Sequence, residues 1–463
     1  MSKYPVIRWT EGGLARSARW RSESGVPPHT RMAIADEQMS ADAAYRLACE
    51  GTALLWRGDF QNARQMLLAM ARRADQKSRN ARKQTVTSRQ QKLRETNKPR
   101  KPPTAHAAAL SSSLRTTPGV LIDATVASAA NITAGTITAG TTAATTTDPA
   151  VAIKPPTAAF HLHRLAQSQR ARTLGMLLLP LSGDYSVPLQ RAPDVQRACV
   201  EAYGLPGSDA AAGDSLVSMR ELLGLIGAHE WRKKGVEVPA LEDRIHPHYG
   251  VFAPVRGEYV GLVAEAPLPV WQLTGSATKT LPLAFDIGTG TGVLAAVLAR
   301  RGIERIIATD RDPRALACAR DNLRRLKLAA HVQVIEVDLF PEGRAPLIVC
   351  NPPWIPARPS SPIESAIYDP DSRMLRGYIA GLAAHLEPAG EGWLILSDIA
   401  EHLGLRSRDE LLAWFEKGGL AVIDRSEVRP SHPRVFDATD PLHAARAAEV
   451  TSLWRLGLLG SKP

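Results

Sequence analysis

The residues with the clearest chemical potential are Asn351-Pro352-Pro353-Trp354, which follow the apolar run 347–350. Prolines have no N–H to donate to a strand ladder, so two of them in a row direct the backbone out of the strand. The four residues that leave the strand carry an amide side chain, two carbonyl groups and a flat aromatic ring. Such a set suits a planar group that bears N–H donors, because the oxygens can accept its hydrogens while the indole stacks on its face.

A glycine-rich loop lies upstream, at a predicted strand-to-helix junction. Its sequence is Asp286-Ile287-Gly288-Thr289-Gly290-Thr291-Gly292. Glycines let the backbone approach a ligand closely, and the N-terminus of the next helix favours a negative group. A dinucleotide-binding loop has the spacing Gly-x-Gly-x-x-Gly, but Val293 stands at the last position, so NAD fits poorly. The loop fits a nucleoside with an amino-acid tail, whose ammonium group Asp286 can meet.

Two further carboxylates stand where later strands are predicted to end. Asp310 follows Gly288 by 22 residues, and a carboxylate at this place can accept from both hydroxyls of a ribose. Asp338 can accept a hydrogen bond from an adenine amino group, and Leu339 can flank the ring. Asp310 alone does not distinguish NAD from S-adenosylmethionine, since both contain a ribose. The order of the four motifs predicts one site at one edge of a sheet.

The segment that carries these motifs alternates strands with helices. The predicted strands are Leu283–Ile287, Ile306–Thr309, Val332–Val337, Pro346–Cys350, Trp393–Ser397, Leu420–Ile423 and Val450–Leu456. The predicted helices are Val293–Arg301, Pro313–Leu326, Met374–Leu386 and Arg408–Lys417. Such alternation predicts an α/β fold with a parallel sheet, helices on both faces and ligands at the carboxyl ends of the strands.

The remainder of the chain divides by composition. Residues 1–75 are predicted to begin poorly ordered and then to form a helical hairpin from Ser40, because apolar residues recur there at helical spacing. Residues 76–158 are basic, then rich in alanine and threonine, and contain almost no aromatic residues, so a disordered linker is predicted. Residues 159–250 are predicted to be a smaller, mostly helical domain that recognises the substrate, and residues 251–463 to be the catalytic domain.

The net charge of +11 is concentrated in one segment. Twelve lysines and arginines but only two acidic residues lie between Arg72 and Thr104, so the rest of the chain is close to neutral. Such a tract is typical of an arm that binds RNA or of a solvated linker that maintains solubility. Net charge therefore says little about the substrate of the folded part.

Composition argues against several other classes. The four cysteines are far apart and form no Cys-x-x-Cys pair, which argues against a zinc ribbon or a disulfide framework and favours the cytoplasm. The N-terminus has no apolar signal segment, and the longest apolar run is interrupted by Gly175 and Pro180, so no membrane span is predicted. His246 and His248 have no third partner at suitable spacing, so no metal site is predicted.

The segment from Leu283 to Ser397 resembles class I S-adenosylmethionine-dependent methyltransferases of the branch whose fourth motif is (Asn/Asp)-Pro-Pro-(Tyr/Phe/Trp). That branch includes HemK-type release-factor glutamine methyltransferases, small-domain ribosomal RNA guanine methyltransferases and amino-adenine methyltransferases. Gly250–Tyr259 is similar to the Pro-Arg-Pro-Glu stretch of HemK-type enzymes, with the arginine displaced by one position. Their Gly-Gly-x-Asp-Gly-Leu stretch is replaced by Tyr368–Ser372, so a release-factor substrate is not assumed.

The resemblance implies a doubly wound, mostly parallel, seven-stranded Rossmann-like sheet with S-adenosylmethionine as cofactor. By resemblance the cofactor-binding residues are Asp286, Gly288, Thr289, Gly290, Gly292, Asp310, Asp338, Leu339 and Asn351, and the residues that hold the methyl acceptor are Asn351, Pro352, Pro353 and Trp354. The expected activity is methylation of a planar amino or amide nitrogen. RNA or another nucleic acid is the favoured acceptor because of the basic segment. A protein glutamine is the alternative, and a non-catalytic S-adenosylmethionine-binding module is the second alternative.

Overall fold

The chain forms two large β-sheets and one two-stranded ladder within the residues that the computed structural model describes. These residues are 5–77, 156–206, 213–255, 257–269, 281–359, 362–431 and 436–460. Both large sheets belong to one structural unit, which comprises residues 1–79 and 154–463. The predicted linker and most of the basic tract lie outside the described residues, as does Arg256 of the stretch before the core.

The first sheet is built from two distant parts of the chain. Its strands are β1 (Val6–Glu11), β2 (Leu14–Arg21), β3 (Met32–Ala35), β4 (Ala53–Trp56), β5 (Leu177–Leu181) and β6 (Ser215–Ser218), in the order β1-β2-β6-β5-β4-β3. The helices of this part are α1 (Ala41–Cys49), α2 (60–77), α3 (Pro156–Leu174), α4 (Gln196–Tyr203) and α5 (Met219–Lys234). A short ladder of β7 (Val236–Val238) and β8 (Asp243–Ile245) follows a little later in the chain.

The helices predicted after Ser40 and within residues 159–250 are present as α1 to α5, but the sheet that joins them was not predicted, and residues 6–21, expected to be poorly ordered, form two of its strands. In β2, Ala18 and Trp20 are buried and Arg19 between them is more exposed, but the arginines around them concealed the strand period. Every residue of Leu177–Leu181 is buried, so this strand shows no alternation. Periodicity cannot distinguish such a short apolar run from a piece of buried helix.

The second sheet confirms the α/β fold predicted for the C-terminal part. Its strands are β9 (Leu283–Ile287), β10 (Arg305–Asp310), β11 (Val332–Glu336), β12 (Ala345–Cys350), β13 (Leu386–Ser397), β14 (Leu420–Val428) and β15 (Thr451–Leu458). Their order is β11-β10-β9-β12-β13-β15-β14, and β15 runs antiparallel to both neighbours while the pairs from β11 to β13 are parallel. The seven predicted strands are therefore all present, and β13 begins earlier than predicted.

Helices cover both faces of this sheet. They are α6 (Glu258–Glu265), α7 (Val293–Arg300), α8 (Pro313–Arg325), α9 (Arg373–His385), α10 (Ile399–His402), α11 (Arg408–Lys417) and α12 (His443–Ala448). Successive side chains of β12 enter opposite cores: Leu347 and Val349 pack with α6 and α7, whereas Ile348 and Cys350 pack with α9 and α11. A strand buried on both faces is expected in the centre of a parallel sheet, and this explains its uninterrupted apolar sequence.

The chain order creates a crevice at the carboxyl ends of the central strands. From β9 the chain proceeds outward through β10 to β11, and β12 then returns to the opposite side of β9. Loops that leave β9 and β12 therefore diverge, and ligands of such sheets bind at this switch point. None of the helices in the described part of the chain is long and apolar enough to cross a membrane.

Candidate active site

The loops at the carboxyl ends of β9 to β12 line one cavity of about 1090 Å³. Ten of the twelve residues predicted for the site contribute to its wall: Gly288, Thr289, Gly290, Asp310, Asp338, Leu339, Asn351, Pro352, Pro353 and Trp354. Asp286 and Gly292 are not among the lining residues. The four sequence motifs therefore meet in one cavity at the carboxyl ends of their strands.

The glycine loop has a backbone that other residues adopt with difficulty. Gly288, Gly290 and Gly292 have φ angles of 72°, 56° and 80°. The loop is attached to the neighbouring strand β10, because the Thr289 N–H donates to the carbonyl of Thr309 at 2.8 Å. At Gly288 a Cβ atom would lie 2.3 Å from Cε of Met374. The end of the Met374 side chain therefore occupies the space that a side chain at position 288 would need.

Gly292 serves packing rather than ligand contact. A Cβ atom there would lie 3.2 Å from both Cα and Cβ of Ala319 in α8. Gly302 has a similar positive φ of 89° but open space around it, which makes it a matched control. We expect Gly302→Ala to cost about 1–2 kcal/mol of unfolding free energy through backbone strain. Gly292→Ala should cost about 1–3 kcal/mol more through overpacking. Urea denaturation of both variants measures the difference, and equal losses would contradict the packing role.

Asp286 lies beneath the loop and fixes its path. Its residue is 1% exposed, and its Oδ2 accepts from the Thr289 hydroxyl at 2.7 Å and from the Ala295 N–H at 3.0 Å. Its Oδ1 is buried and has no hydrogen-bond partner within the described residues. Burial raises the pKa of Asp286 to about 6, although both hydrogen bonds oppose the shift.

This raised pKa predicts a pH-dependent stability. Between about pH 4 and pH 6 the folded protein keeps the Asp286 proton that the unfolded chain has lost, so the stabilisation is present at low pH and is lost as the pH rises through about 6. Asp286→Asn removes the titrating group and keeps the acceptor oxygen. From about pH 4 to pH 7 the unfolding free energy of the wild type should fall by up to about 3 kcal/mol relative to the variant. Denaturation curves at several pH values test this, and a pH-independent difference would contradict it.

The Asp310 carboxylate supports the glycine loop and also lines the cavity. Its Oδ2 accepts from the Gly290 N–H and its Oδ1 accepts from the Asp312 N–H, both at 3.0 Å. Burial raises the pKa of Asp310, and these N–H donors oppose the shift. A carboxylate has about four acceptor positions, so these two donors and the Arg311 N–H leave at least one for a ligand. Asp310 therefore couples the glycine loop to whatever ligand it binds.

The end of β11 forms the third part of the wall. The Leu339 carbonyl accepts from the Thr309 hydroxyl at 2.7 Å, and Leu339 has a φ of 76°, which is unusual for a branched residue. Its side chain packs closely over Gly377, where a Cβ atom would lie 2.6 Å from Cδ1 of Leu339. Asp338 forms an ion pair of 2.5 Å with Arg373. An adenine amino group at Asp338 would therefore share this carboxylate with the guanidinium.

The fourth motif leaves β12 with trans peptide bonds, since no cis bond occurs among the described residues. The indole Nε1–H of Trp354 donates to Oδ1 of Asn351 at 2.9 Å. One acceptor position of Asn351 is therefore used within the motif itself. The predicted stacking of Trp354 on the acceptor remains a prediction.

Several cavity residues escaped the sequence analysis. Phe160 and His163 of α3 form part of the wall although α3 precedes the catalytic segment by more than a hundred residues. Tyr259 of α6 also lines the cavity, as does Asp369. Asp369 accepts from the Met374 N–H at 2.9 Å and thereby caps α9. Only Tyr259 had a signal in the sequence, because it ends the stretch that resembles the pre-core region of HemK-type enzymes.

Helix α3 also fixes the loop that follows the fourth motif. The Thr157 hydroxyl donates to the carbonyl of Leu403 at 3.1 Å. Arg164 donates from Nη2 to the Arg358 carbonyl at 2.6 Å, and its guanidinium lies 4.0 Å from the centre of the Tyr368 ring. Part of the cavity wall is therefore built by a helix that precedes the catalytic sheet in the chain.

The two histidines considered for a metal have other partners. His246 Nδ1 lies 2.6 Å from the Arg232 carbonyl, and His248 Nε2 lies 3.0 Å from Asp321. Across the described ranges no cluster of three or more His, Cys, Asp or Glu side chains could hold a metal ion.

The cavity fits S-adenosylmethionine together with an acceptor group. The glycine loop and the Asp310 carboxylate, which line the cavity, offer sites for its charged and hydroxyl groups. Pockets for one small ligand measure about 300–1,000 Å³. A cavity of about 1090 Å³ slightly exceeds this range, so it has room for a second group beside the cofactor.

Comparison with known proteins gives matches in the same segment. The methyltransferase small domain family matches residues 276–404. Ribosomal protein L11 methyltransferase of Pelotomaculum thermopropionicum is 36% identical over 146 residues, which cover 31% of this chain and 39% of that protein. Release factor glutamine methyltransferase of Mycobacterium tuberculosis is 29% identical over 199 residues, which cover 40% and 55%. The chain therefore spans roughly two fifths to half of the length of these two relatives.

A longer match connects the chain to one of these groups. Release factor glutamine methyltransferase of Cereibacter sphaeroides is 31% identical over 234 residues, which cover 44% of this chain and 76% of that protein. A doubly wound sheet whose strand ends carry these loops is that of a class I S-adenosylmethionine-dependent methyltransferase, and the cofactor is S-adenosylmethionine. Within that class, the chain belongs to the methyltransferase small domain family and is grouped with the HemK-type release factor glutamine methyltransferases.

Proposed function

We propose that this protein transfers a methyl group from S-adenosylmethionine to the side-chain amide nitrogen of a protein glutamine. The observation that carries the proposal is the position of Asn351-Pro352-Pro353-Trp354 in the cavity that also contains the glycine loop and Asp310. In this proposal the glycine loop holds the methionine part and Asp310 the ribose. Asp338 and Leu339 hold the adenine, while the fourth motif holds the acceptor.

The chemistry of the acceptor explains why two oxygens are needed. An amide nitrogen is a poor nucleophile because its lone pair is delocalised into the carbonyl group. When Asn351 Oδ1 and the Pro352 carbonyl accept its two hydrogens, they orient the nitrogen and stabilise the positive charge that develops on it. S-adenosylmethionine would supply a sulfonium methyl there: the nitrogen–carbon bond would form as the carbon–sulfur bond breaks, S-adenosylhomocysteine would leave, and the nitrogen would release one proton to water. The residues act mainly by positioning.

The charge of the cavity wall supports a neutral acceptor. Its carboxylates outnumber its guanidinium groups: Asp310, Asp312, Asp338, Asp369 and Glu449 against Arg311, Arg373 and Arg446. Proteins that bind nucleic acids neutralise phosphates with lysine and arginine. The relatives described above are named for protein substrates, a release factor and ribosomal protein L11. Both observations favour a protein acceptor over the nucleic acid preferred from the sequence.

One observation favours RNA as the second candidate. The basic tract between Arg72 and Thr104 has a net charge of +10, and such a tract binds phosphates without reading their sequence. In that case the same two oxygens would accept from the amino group of a base. The tract lies largely outside the described residues, so this candidate depends on the sequence alone.

The two acceptors are distinguished by the fate of a labelled methyl group. Purified protein is incubated with tritiated S-adenosylmethionine and a cell extract, which is then separated into protein and RNA. We expect the label in the protein fraction, to be released as N5-methylglutamine after enzymatic digestion. Label in RNA would favour the second candidate, and label in neither fraction would contradict both.

A further inference from the structure

The Asn351 carboxamide is held at both of its ends. Its Oδ1 accepts from the indole N–H of Trp354 at 2.9 Å. The Tyr259 hydroxyl lies on the same cavity wall and interacts with this side chain. Since Oδ1 faces the indole, the amide nitrogen is the atom that can donate to the Tyr259 oxygen. Burial raises the pKa of Tyr259, and the Asn351 contact opposes that shift, as expected for an N–H donor.

Both partners of Asn351 are themselves immobilised. Tyr259 is 3% exposed and packs in the core beside α7. Trp354 is half-buried and contacts three separate apolar clusters, including the one around Phe160. A ring packed on several sides cannot swing freely, so its N–H donates from a constant position. The carboxamide is therefore fixed by two rigid groups that enter from different elements.

The orientation of this carboxamide decides whether the motif can work. An amide rotated by 180° exchanges its oxygen and its nitrogen. The motif would then present N–H donors to the N–H groups of an acceptor, and this contact is repulsive. The Trp354 donor and the Tyr259 acceptor together favour one of the two orientations.

We propose that Trp354 and Tyr259 are positioning residues that hold the Asn351 carboxamide with the second acceptor position of Oδ1 toward the methyl acceptor. This inference rests on the proposed function, since it assigns roles within the same reaction. It gives Trp354 a role that depends on its indole nitrogen, whereas stacking depends only on the aromatic face. Phenylalanine at position 354 would keep a face for stacking and lose the N–H.

Kinetics of matched variants separate the two roles. We expect Trp354→Phe to lower kcat by about 5- to 30-fold, because one hydrogen bond of the positioned group is lost. The KM for the acceptor should change by no more than about threefold. In an Asn351→Ala background, Trp354→Phe should have no further effect, since the group it positions is absent. Trp414→Phe in α11 is the control for the loss of an indole N–H elsewhere.

Unchanged kcat and unchanged acceptor KM for Trp354→Phe would overturn the inference and support stacking, because phenylalanine keeps the aromatic face. An additive effect in the Asn351→Ala background would also overturn it. Tyr259→Phe provides a second variant in case the tryptophan variant does not fold. It should also lower kcat, and the double Phe variant should lose more than either single variant, because both anchors are then gone.

A measurement that needs no activity separates this inference from the proposed function. Hydrogen exchange of the Trp354 indole N–H can be followed by NMR, with Trp354→Phe to assign the signal. We expect a protected proton in the wild type and faster exchange in Asn351→Ala. Equal exchange rates of the Trp354 indole proton in both proteins would contradict the inference that Asn351 and Trp354 hold each other in place. A protected proton in a protein that methylates no glutamine would leave the anchor intact and contradict the proposed function.

Discussion

Replacement of Asn351 by alanine is expected to lower kcat for methyl transfer by about 10²- to 10³-fold, the loss typical of a group that stabilises charge only in the transition state. Asn351 Oδ1 is one of two oxygens that can accept the hydrogens of the acceptor nitrogen. The cofactor loops are anchored through Asp286 and Asp310 instead, so the affinity for S-adenosylmethionine should change by no more than roughly threefold. Single-turnover kinetics and calorimetry measure the two quantities separately.

Asn351→Asp is the informative companion of this variant. It keeps the side-chain oxygens and loses the N–H that can donate to Tyr259. It should therefore be more active than Asn351→Ala, although less active than the wild type. Full activity of the alanine variant on an identified acceptor would show that the fourth motif does not hold the acceptor.

Asp310→Ala should weaken the binding of S-adenosylmethionine by about 100-fold or more, because hydrogen bonds to a charged group contribute about 1.5–3 kcal/mol each. The substitution removes both acceptors for the ribose. It also releases the Gly290 and Asp312 N–H groups that the carboxylate now holds. Calorimetric titration of the purified variant measures the loss.

Two controls separate ribose contact from loop support. Asp310→Asn keeps one acceptor oxygen and should lose less affinity than Asp310→Ala. Asp409→Ala removes an exposed carboxylate in the first turn of α11 and should leave the affinity unchanged. Unchanged affinity of Asp310→Ala would mean that the cofactor occupies another register in the cavity.

The catalytic sheet was predictable from the sequence because its central strands are buried on both faces. Residues Leu347–Cys350 are all apolar, and two prolines follow after Asn351. Both the presence of a buried strand and the position of its end could therefore be predicted. The glycine loop, Asp310 and Asp338 follow strands in the same way. Parallel strands bring their carboxyl ends to one edge, and this rule was sufficient to place the motifs in one cavity.

The N-terminal sheet was not predictable for the opposite reason. Its strands are short, and partners such as β4 and β5 are separated by more than a hundred residues of chain. In β2, arginines stand next to the buried Ala18 and Trp20, so the apolar alternation is weak. Local patterns carry no information about pairing between such distant segments.

The side-chain contacts within the site could not be predicted from the sequence either. The hydrogen bond between Trp354 and Asn351 depends on the rotamers of the two side chains. The sequence Asn-Pro-Pro-Trp is the same whether or not this bond forms, so the sequence could not predict it. The wall formed by α3 depends on tertiary contacts such as Arg164 with Tyr368. Such contacts are set by the tertiary structure, so the sequence identified the reaction class better than the substrate.

The central claim is that one cavity brings the cofactor and the Asn-Pro-Pro-Trp motif together. A crystal structure of the protein with S-adenosylhomocysteine tests it most directly. We expect the ribose hydroxyls on Asp310 and the sulfur directed toward the Asn351 carboxamide, with the space before Trp354 open for an acceptor. A ligand bound elsewhere, or one whose sulfur is directed away from Asn351, would contradict the account.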